Sequence, residues 1–229
     1  MLKIYGVPVS VHTRKVLMVA ALKGLVHEVI PVVPVIPDNP PPNWRELSPT
    51  GRIPAITDGD FTVADSTAIC LYLDRAYPQH PLYPKTAREL AQAVSIELYA
   101  TEKLFREVVR PLFHEVFVHP RIHSHPTNQA VIEQVFAASI PEVFGYLNGI
   151  AAEGFLVGQT ITAADFAVVS NLVTFGYCGF NLDRDRFPRL AKYFNRMITV
   201  PCIRQTLQNE TSTAASMGLN DDILKALAA

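Results

Sequence analysis

The sequence predicts an α/β domain followed by an all-helical one. Three observations carry this reading. Strand and helix signals alternate through residues 1–80, a proline-rich segment interrupts at 77–85, and beyond Thr86 nearly every periodic stretch is helical. With 229 residues, 49% of them hydrophobic and 18% charged, the chain can bury a large core and has the composition of a folded protein. The domains are expected at 1–80 and 88–229, joined by a linker at 81–87.

Leu2-Lys3-Ile4-Tyr5-Gly6-Val7 alternates as a first strand, which Pro8 and Ser10 end. Residues 11–23 then read as a helix closing at Gly24, a residue suited to the left-handed position just past a helix end. Residues 26–33 form a second strand. Prolines at 31, 34, 37, 40, 41 and 42 exclude a regular helix or central strand, so this stretch is a rigid, exposed excursion towards Trp44. Ile53-Pro54-Ala55-Ile56 is a short apolar strand entered through proline. Asp58-Gly59-Asp60 supplies hairpin-turn chemistry, and Phe61-Thr62-Val63-Ala64 returns with alternating faces. Asp65-Ser66 opens a helix whose apolar positions Ile69, Tyr72, Leu73 and Ala76 follow helical spacing.

A proline heading a core strand is unusual, because it cannot donate to the ladder. One account is a trans proline on an edge strand with an Asp/Ser helix cap beside it. The other is a cis Ile53–Pro54 bond, a form taken by about 5–6% of X–Pro bonds, which leaves the Ile53 main chain to pair with an extended ligand. Asp65, Ser66 and the free N–H groups of that helix start suit a zwitterionic end, with its carboxylate on the N–H groups and hydroxyl and its ammonium on Asp65.

In the helical half, residues 87–110 form a long amphipathic segment, with a kink expected at Pro111 and an end at Val118-His119-Pro120. Residues 126–152 form another, bent at Pro141. Further helices are expected at 162–175, 187–199 and 201–207, with a weakly patterned tail at 209–229. Thr162-Ala163-Ala164-Asp165 reads as a capping box with Asp in place of Glu, and Ile161 can staple against Phe166. Its role is folding, not catalysis.

Other classes fall away on composition. A net charge of −1, from 20 basic and 21 acidic residues, leaves no electrostatic footprint for nucleic acid or an anionic membrane. The longest apolar runs read as too short to span a bilayer, and no signal-peptide pattern opens the chain. Cys70, Cys178 and Cys202 are odd in number and widely separated, pointing to a reducing, cytoplasmic setting without a disulfide framework. His114, His119, His123 and His125 invite a metal reading. Pro120 and Pro126 break their segment and no cysteine is near, so no metal site is expected.

The stretch SPTGRIPAITDGDFTVADSTAI from Ser48 to Ile69 closely resembles the glutathione site of the cytosolic glutathione transferases. The capping box resembles their helical-domain motif, and the β-α-β, crossover, β-β-α order resembles the thioredoxin-like fold. The spacing from Ser10 to Val16 is similar to that of the serine-type members, the phi-, delta- and theta-like classes and related bacterial enzymes.

This resemblance implies a thioredoxin-like domain plus a helical bundle, in a homodimer that activates glutathione as a thiolate against small hydrophobic electrophiles. Glutathione is then a co-substrate, with no other cofactor. It also implies Ser10 as the catalytic hydroxyl, although from local sequence Ser10 is equally a plain helix cap; Thr13 is the reserve hydroxyl. Ile53 and Pro54 would meet the cysteinyl part of glutathione, Asp65 and Ser66 its γ-glutamyl end, and Arg52 a carboxylate. Phe113, His114 and Phe117 are the expected second-substrate pocket.

Two departures stand out. Asp65 replaces the usual Glu, and Asn39-Pro40 stands where plant-type members carry His-Lys for the glycyl carboxylate. The alternatives are a non-catalytic transferase-like binding protein, or a glutathione-dependent peroxidase, dehalogenase or isomerase. No cysteine stands at the first helix start and there is no Cys-x-x-Cys, which argues against disulfide chemistry.

Overall fold

The sheet grows outward from the first strand. β1 (Leu2–Tyr5) pairs in parallel with β2 (His27–Ile30), the two joined through helix α1 (Val11–Leu22). On its other side β1 pairs antiparallel with β3 (Ala55–Asp58), which turns back into β4 (Phe61–Ala64), giving the order β2-β1-β3-β4. Each strand is four residues long; β1 and β2 are shorter than the runs that predict them, closed at their ends by Gly6 and Pro31, and β3 starts after Pro54 and not at Ile53. The connection between β2 and β3 carries the short α2 (Trp44–Leu47), whose Trp44 packs with Val32 and Ala55 in a small core of its own. Helix α3 (Ser66–Ala76) completes the thioredoxin-like unit. The computed structural model describes residues 1–36, 38–151 and 153–228; Pro37 of the predicted excursion, Ala152 at the end of the second helical segment and Ala229 lie outside the described residues.

Three prolines sit within helices that continue past them. Pro111 and Pro120 lie in one helical run, α4 (residues 87–121), and Pro141 lies in α5 (Gln129–Ile150). Each follows the end of a wide π-helical stretch by two residues: Ala100–Val109, His114–Val118 and Val135–Ser139. The residue before each proline, namely Arg110, His119 or Ile140, donates its N–H five residues back, to Phe105, His114 or Val135. A proline ring clashes with the carbonyl four residues earlier in a regular helix, and the wider turn supplies the room. Helical bonding therefore runs on through Pro111 and Pro141, where a kink and a bend are expected, and one residue past Pro120, where the segment is expected to end.

By length and composition alone, Gln129–Ile150 is also apolar enough to cross a membrane, which corrects the reading that every apolar run is too short. Here Ile132, Val135, Ile140, Val143, Phe144 and Leu147 turn into the core.

The remaining helices are α6 (Ala163–Tyr177), α7 (Pro188–Met197), α8 (Pro201–Asn209), α9 (Thr211–Ser216) and α10 (Asp222–Ala228). The weakly patterned tail is thus largely helical, and Leu219, Leu224 and Leu227 bury against the bundle. Every residue of α6 is buried. Its start is fixed as the capping box predicts: Asp165 accepts the Thr162 N–H at 2.8 Å, the Leu156 N–H at 2.9 Å and the Tyr193 hydroxyl at 2.8 Å.

One buried cluster of apolar side chains extends from Leu2 to Leu227 across both halves, and α1 lies at its centre. Two adjacent cations of α1 are buried there. Arg14 Nε donates to both Glu210 oxygens, at 2.8 and 2.9 Å; Nη1 donates to the Ser170 carbonyl and the Thr174 hydroxyl, each at 2.9 Å; and Nη2 donates to the Val9 carbonyl at 2.8 Å. Lys15 pairs at 2.7 Å with Glu97 of α4, which also accepts from Thr67 and Tyr83.

A buried ion pair adds little net stability, but removing one partner strands the other charge. Arg14→Ala is therefore expected to lower unfolding free energy by about 3–5 kcal/mol. The double change Arg14→Met with Glu210→Leu should cost less than the single one, both read from urea unfolding midpoints.

Candidate active site

Ser10 is the N-cap of α1, with φ −69° and ψ 131°, yet its hydroxyl makes no capping bond. The main chain on either side of it is held by groups deep in the fold. Val9 C=O accepts from Arg14, and Val11 C=O accepts the Ser170 hydroxyl of α6 at 2.6 Å. The Ser10 carbonyl itself accepts the Arg14 N–H at 2.8 Å, the first bond of the helix. Ser10 is thus a half-buried hydroxyl on a fixed backbone, beside the positive end of a helix dipole.

Thr13 is placed differently. It is fully buried, and its hydroxyl lies against Gly6 without a hydrogen-bond partner among the described residues. Gly6 has φ +152°, and a Cβ there would collide with that hydroxyl, so this position accepts only glycine. The reserve hydroxyl therefore faces the interior.

The Ile53–Pro54 peptide bond is cis. Ahead of it the turn is tied by the Ser48 hydroxyl on the Arg52 carbonyl at 2.6 Å and by the Trp44 indole on the Gly51 carbonyl at 3.0 Å. Ile53 lies two residues before Ala55, the first residue paired in β3, and the Arg52 side chain is exposed. Asp65 caps α3 from an unusual backbone, φ +79°, with Oδ1 accepting the N–H groups of Thr67 at 2.8 Å and Ala68 at 3.2 Å. Its other oxygen has no hydrogen bond among the described residues. Ser66 is buried at the first turn. Asn39, in the place of the expected His-Lys grip, spends its side-chain oxygen on the Val33 N–H at 2.6 Å.

Sequence reading passed over His12. Its ring lies edge-on to Phe105 of α4, centroids 4.5 Å apart, within electrostatic reach of Lys15, Asp65 and Arg52. Burial, aided by the Lys15 and Arg52 charges and opposed by Asp65, lowers its pKa to about 4. Only the break in apolar pattern at the second residue of α1 signalled it.

The three aromatic-pocket candidates separate. Phe113 and Phe117 stack at 5.1 Å and line a cavity of about 280 Å³ with Val116, Arg121, Tyr177 and Leu219. His114 does not line that cavity; its ring meets His119 at 5.8 Å. Burial and then the Arg110 charge lower the His114 pKa. His119 pairs with Glu115 at 3.2 Å, and Glu115 also accepts the Asn128 N–H at 2.8 Å. Among the described residues no group of three His, Cys, Asp or Glu side chains is placed to hold a metal ion. Cys70, Cys178 and Cys202 are free and buried, and burial raises their pKa values to about 12, 12 and 11, far from thiolate chemistry.

The described residues thus combine a thioredoxin-like sheet, with a cis proline before β3, and a helical bundle that closes it. Residues 4–81 match the family model "Glutathione S-transferase, N-terminal domain" and residues 113–210 match "Glutathione S-transferase, C-terminal domain". The chain is 40% identical over 233 residues to glutathione S-transferase Z1 of Arabidopsis thaliana, covering 94% of this chain and 95% of that one. In structure it is similar to human glutathione S-transferase T1-1 in its apo form (TM-score 0.81, 22% identity, 99% and 96% covered). It is also similar to a glutathione S-transferase of Rhodospirillum rubrum (TM-score 0.80, 24% identity, 90% and 92% covered). The chain belongs to the glutathione S-transferase family.

The low pKa of His12 has a measurable sign. A histidine whose pKa falls on folding adds stability in full above about pH 6.5, the unfolded value, and loses it as pH falls towards 4. In an NMR titration the His12 ring signal is expected to stay at its neutral position from pH 7 to pH 5.5. His12→Phe should reduce the acid sensitivity of unfolding between pH 6.5 and 4.

Proposed function

We propose that this enzyme conjugates glutathione to small hydrophobic electrophiles, with Ser10 stabilising the thiolate. The observation that carries the assignment of Ser10 is its unengaged hydroxyl at the N-cap of α1. A free thiol has a pKa of about 8.5, so at neutral pH most glutathione is unreactive. A hydroxyl donor and a helix N-terminus both favour the charged sulfur. In this reading the cysteinyl part of glutathione runs along the Ile53 main chain beside Pro54. Its γ-glutamyl end sits on Asp65 and Ser66, with the ammonium taken by the Asp65 oxygen that the cap leaves over. Arg52, exposed at the mouth of the turn, takes a carboxylate. Asn39 is already committed to Val33, so the glycyl carboxylate is held without the plant-type grip.

The reacting atom is the sulfur of glutathione, so no covalent enzyme intermediate is needed. Phe113 and Phe117 receive the electrophile's apolar body. The non-catalytic alternative is not favoured. Residues 1–80 form the glutathione-binding unit, 81–87 the connector and 88–229 the helical unit. A cytoplasmic role in clearing electrophiles accords with three free, buried cysteines. A homodimer accords with the apolar side chains of Phe61, Leu71 and Leu98, which remain 43%, 39% and 47% exposed on β4, α3 and α4.

Ser10→Ala removes one hydrogen bond to a charged group, so kcat/KM at pH 7 should fall about 10–100-fold. The ultraviolet thiolate band of bound glutathione should appear only at higher pH. If Ser10→Ala holds the thiolate at neutral pH, the helix terminus is the activator and the assignment fails. Asp65→Ala is expected to cost about 1 kcal/mol as a lost helix cap, and to raise the KM for glutathione while leaving the pH of thiolate formation in place.

A further inference from the structure

His12 is a polar ring with no structural employment. Neither of its nitrogens hydrogen-bonds to a described residue, although the buried polar groups around it on α1, Arg14 and Lys15, are fully engaged. It stands two residues from Ser10, in the first turn of α1. Asp65 and Arg52, residues of the proposed glutathione-binding face, lie within electrostatic reach of the ring, and Phe105 of α4 meets it edge-on. The ring thus joins the start of α1 to the helical wall against which the second substrate is proposed to sit. A neutral imidazole carries one N–H donor and one acceptor nitrogen. At a carbon next to a carbonyl, the thiolate forms its S–C bond as the bond to a leaving group such as halide breaks and the halide departs with the electron pair; the carbonyl oxygen stays in place as a hydrogen-bond acceptor through which a donor can orient the reacting carbon.

We infer that His12 is a specificity-determining residue that offers its ring N–H to a carbonyl oxygen on the electrophile, so that the site selects electrophiles whose reacting carbon is next to a carbonyl. This rests on the transferase reading above. Phe105 fixes the ring plane, and the absence of an internal partner leaves the N–H available. The neutral state matters as well: a neutral donor holds a carbonyl without drawing the anionic sulfur into an ion pair that would blunt its attack.

The test compares two glutathione conjugates of matched shape, S-phenacylglutathione, with a carbonyl next to the carbon bound to sulfur, and S-phenethylglutathione, without one. Calorimetric titration should show the wild type binding the phenacyl conjugate about tenfold more tightly, the worth of one hydrogen bond. His12→Phe, which keeps the contact with Phe105, should erase that preference, and His12→Gln, which restores an N–H donor, should recover part of it. Equal wild-type affinities, or a preference that survives in His12→Phe, would overturn the inference. Glutathione itself is titrated into the same samples. If the wild type binds neither glutathione nor either conjugate, the transferase reading fails and this inference falls with it. If glutathione binds but the conjugates are not distinguished, only the role of His12 is lost.

Discussion

A guanidinium can be buried only where its N–H groups are met, and in this protein that requirement joins the two halves of the chain. Arg14 is inaccessible to solvent and satisfied by Glu210 at the end of α8, by Ser170 and Thr174 on α6 and by Val9 on its own loop. None of these partners can shift without leaving a buried charge or donor exposed to an apolar core, at a cost of several kcal/mol. The arrangement reaches the active site directly. The carbonyls of Val9 and Val11 are the two that flank Ser10, and both are occupied by groups that anchor or belong to α6. The Ser10 hydroxyl thus inherits its position from a polar network as well as from its loop.

Lys15 extends the logic to the other face of α1. Its bond to Glu97, which also takes the hydroxyls of Thr67 and Tyr83, ties α1 to α3, to the connector and to α4. The elements that carry Asp65, Ser66, Phe105 and Phe113 are therefore indexed to the helix that carries Ser10 and His12. The small second core of Val32, Trp44 and Ala55 serves the remaining piece by holding the turn before Pro54. Binding face, sulfur site and helical wall share one frame.

Much of this architecture is legible in the residues themselves. Hairpin chemistry at Asp58-Gly59-Asp60, the Asp65-Ser66 helix start, Gly24 past the end of α1 and the Thr162–Asp165 box each act over a few residues, so local pattern suffices. Arg14 and Lys15 were not read as buried, because their partners lie 196 and 82 residues away and a cation in a helix ordinarily faces water. His12 was passed over for the same reason: its neighbour Phe105 comes from the other domain. The separate placements of Phe113 and Phe117 on a cavity and His114 beside His119 depend on helical phase, which the wide turns of α4 alter in ways that regular periodicity does not register. The tail carries little pattern because its buried leucines, 219, 224 and 227, are spread over one short helix and the turn before it.

Those wide turns have a consequence for how the family's pockets can change. A regular helix advances about 100° per residue, so one residue added or removed swings everything beyond it onto a different face. A π-helical stretch is what remains when a helix takes in an extra residue without shifting its ends. With such stretches beside Pro111, Pro120 and Pro141, α4 and α5 hold built-in slack in their winding. Single-residue insertions and deletions there can rotate Phe105, Phe113 or Phe117 relative to the cleft while α6 and the Arg14 network stay in register. The apolar wall of the helical half can thus drift through changes of length as well as of side chain, while the frame around α1 keeps its place.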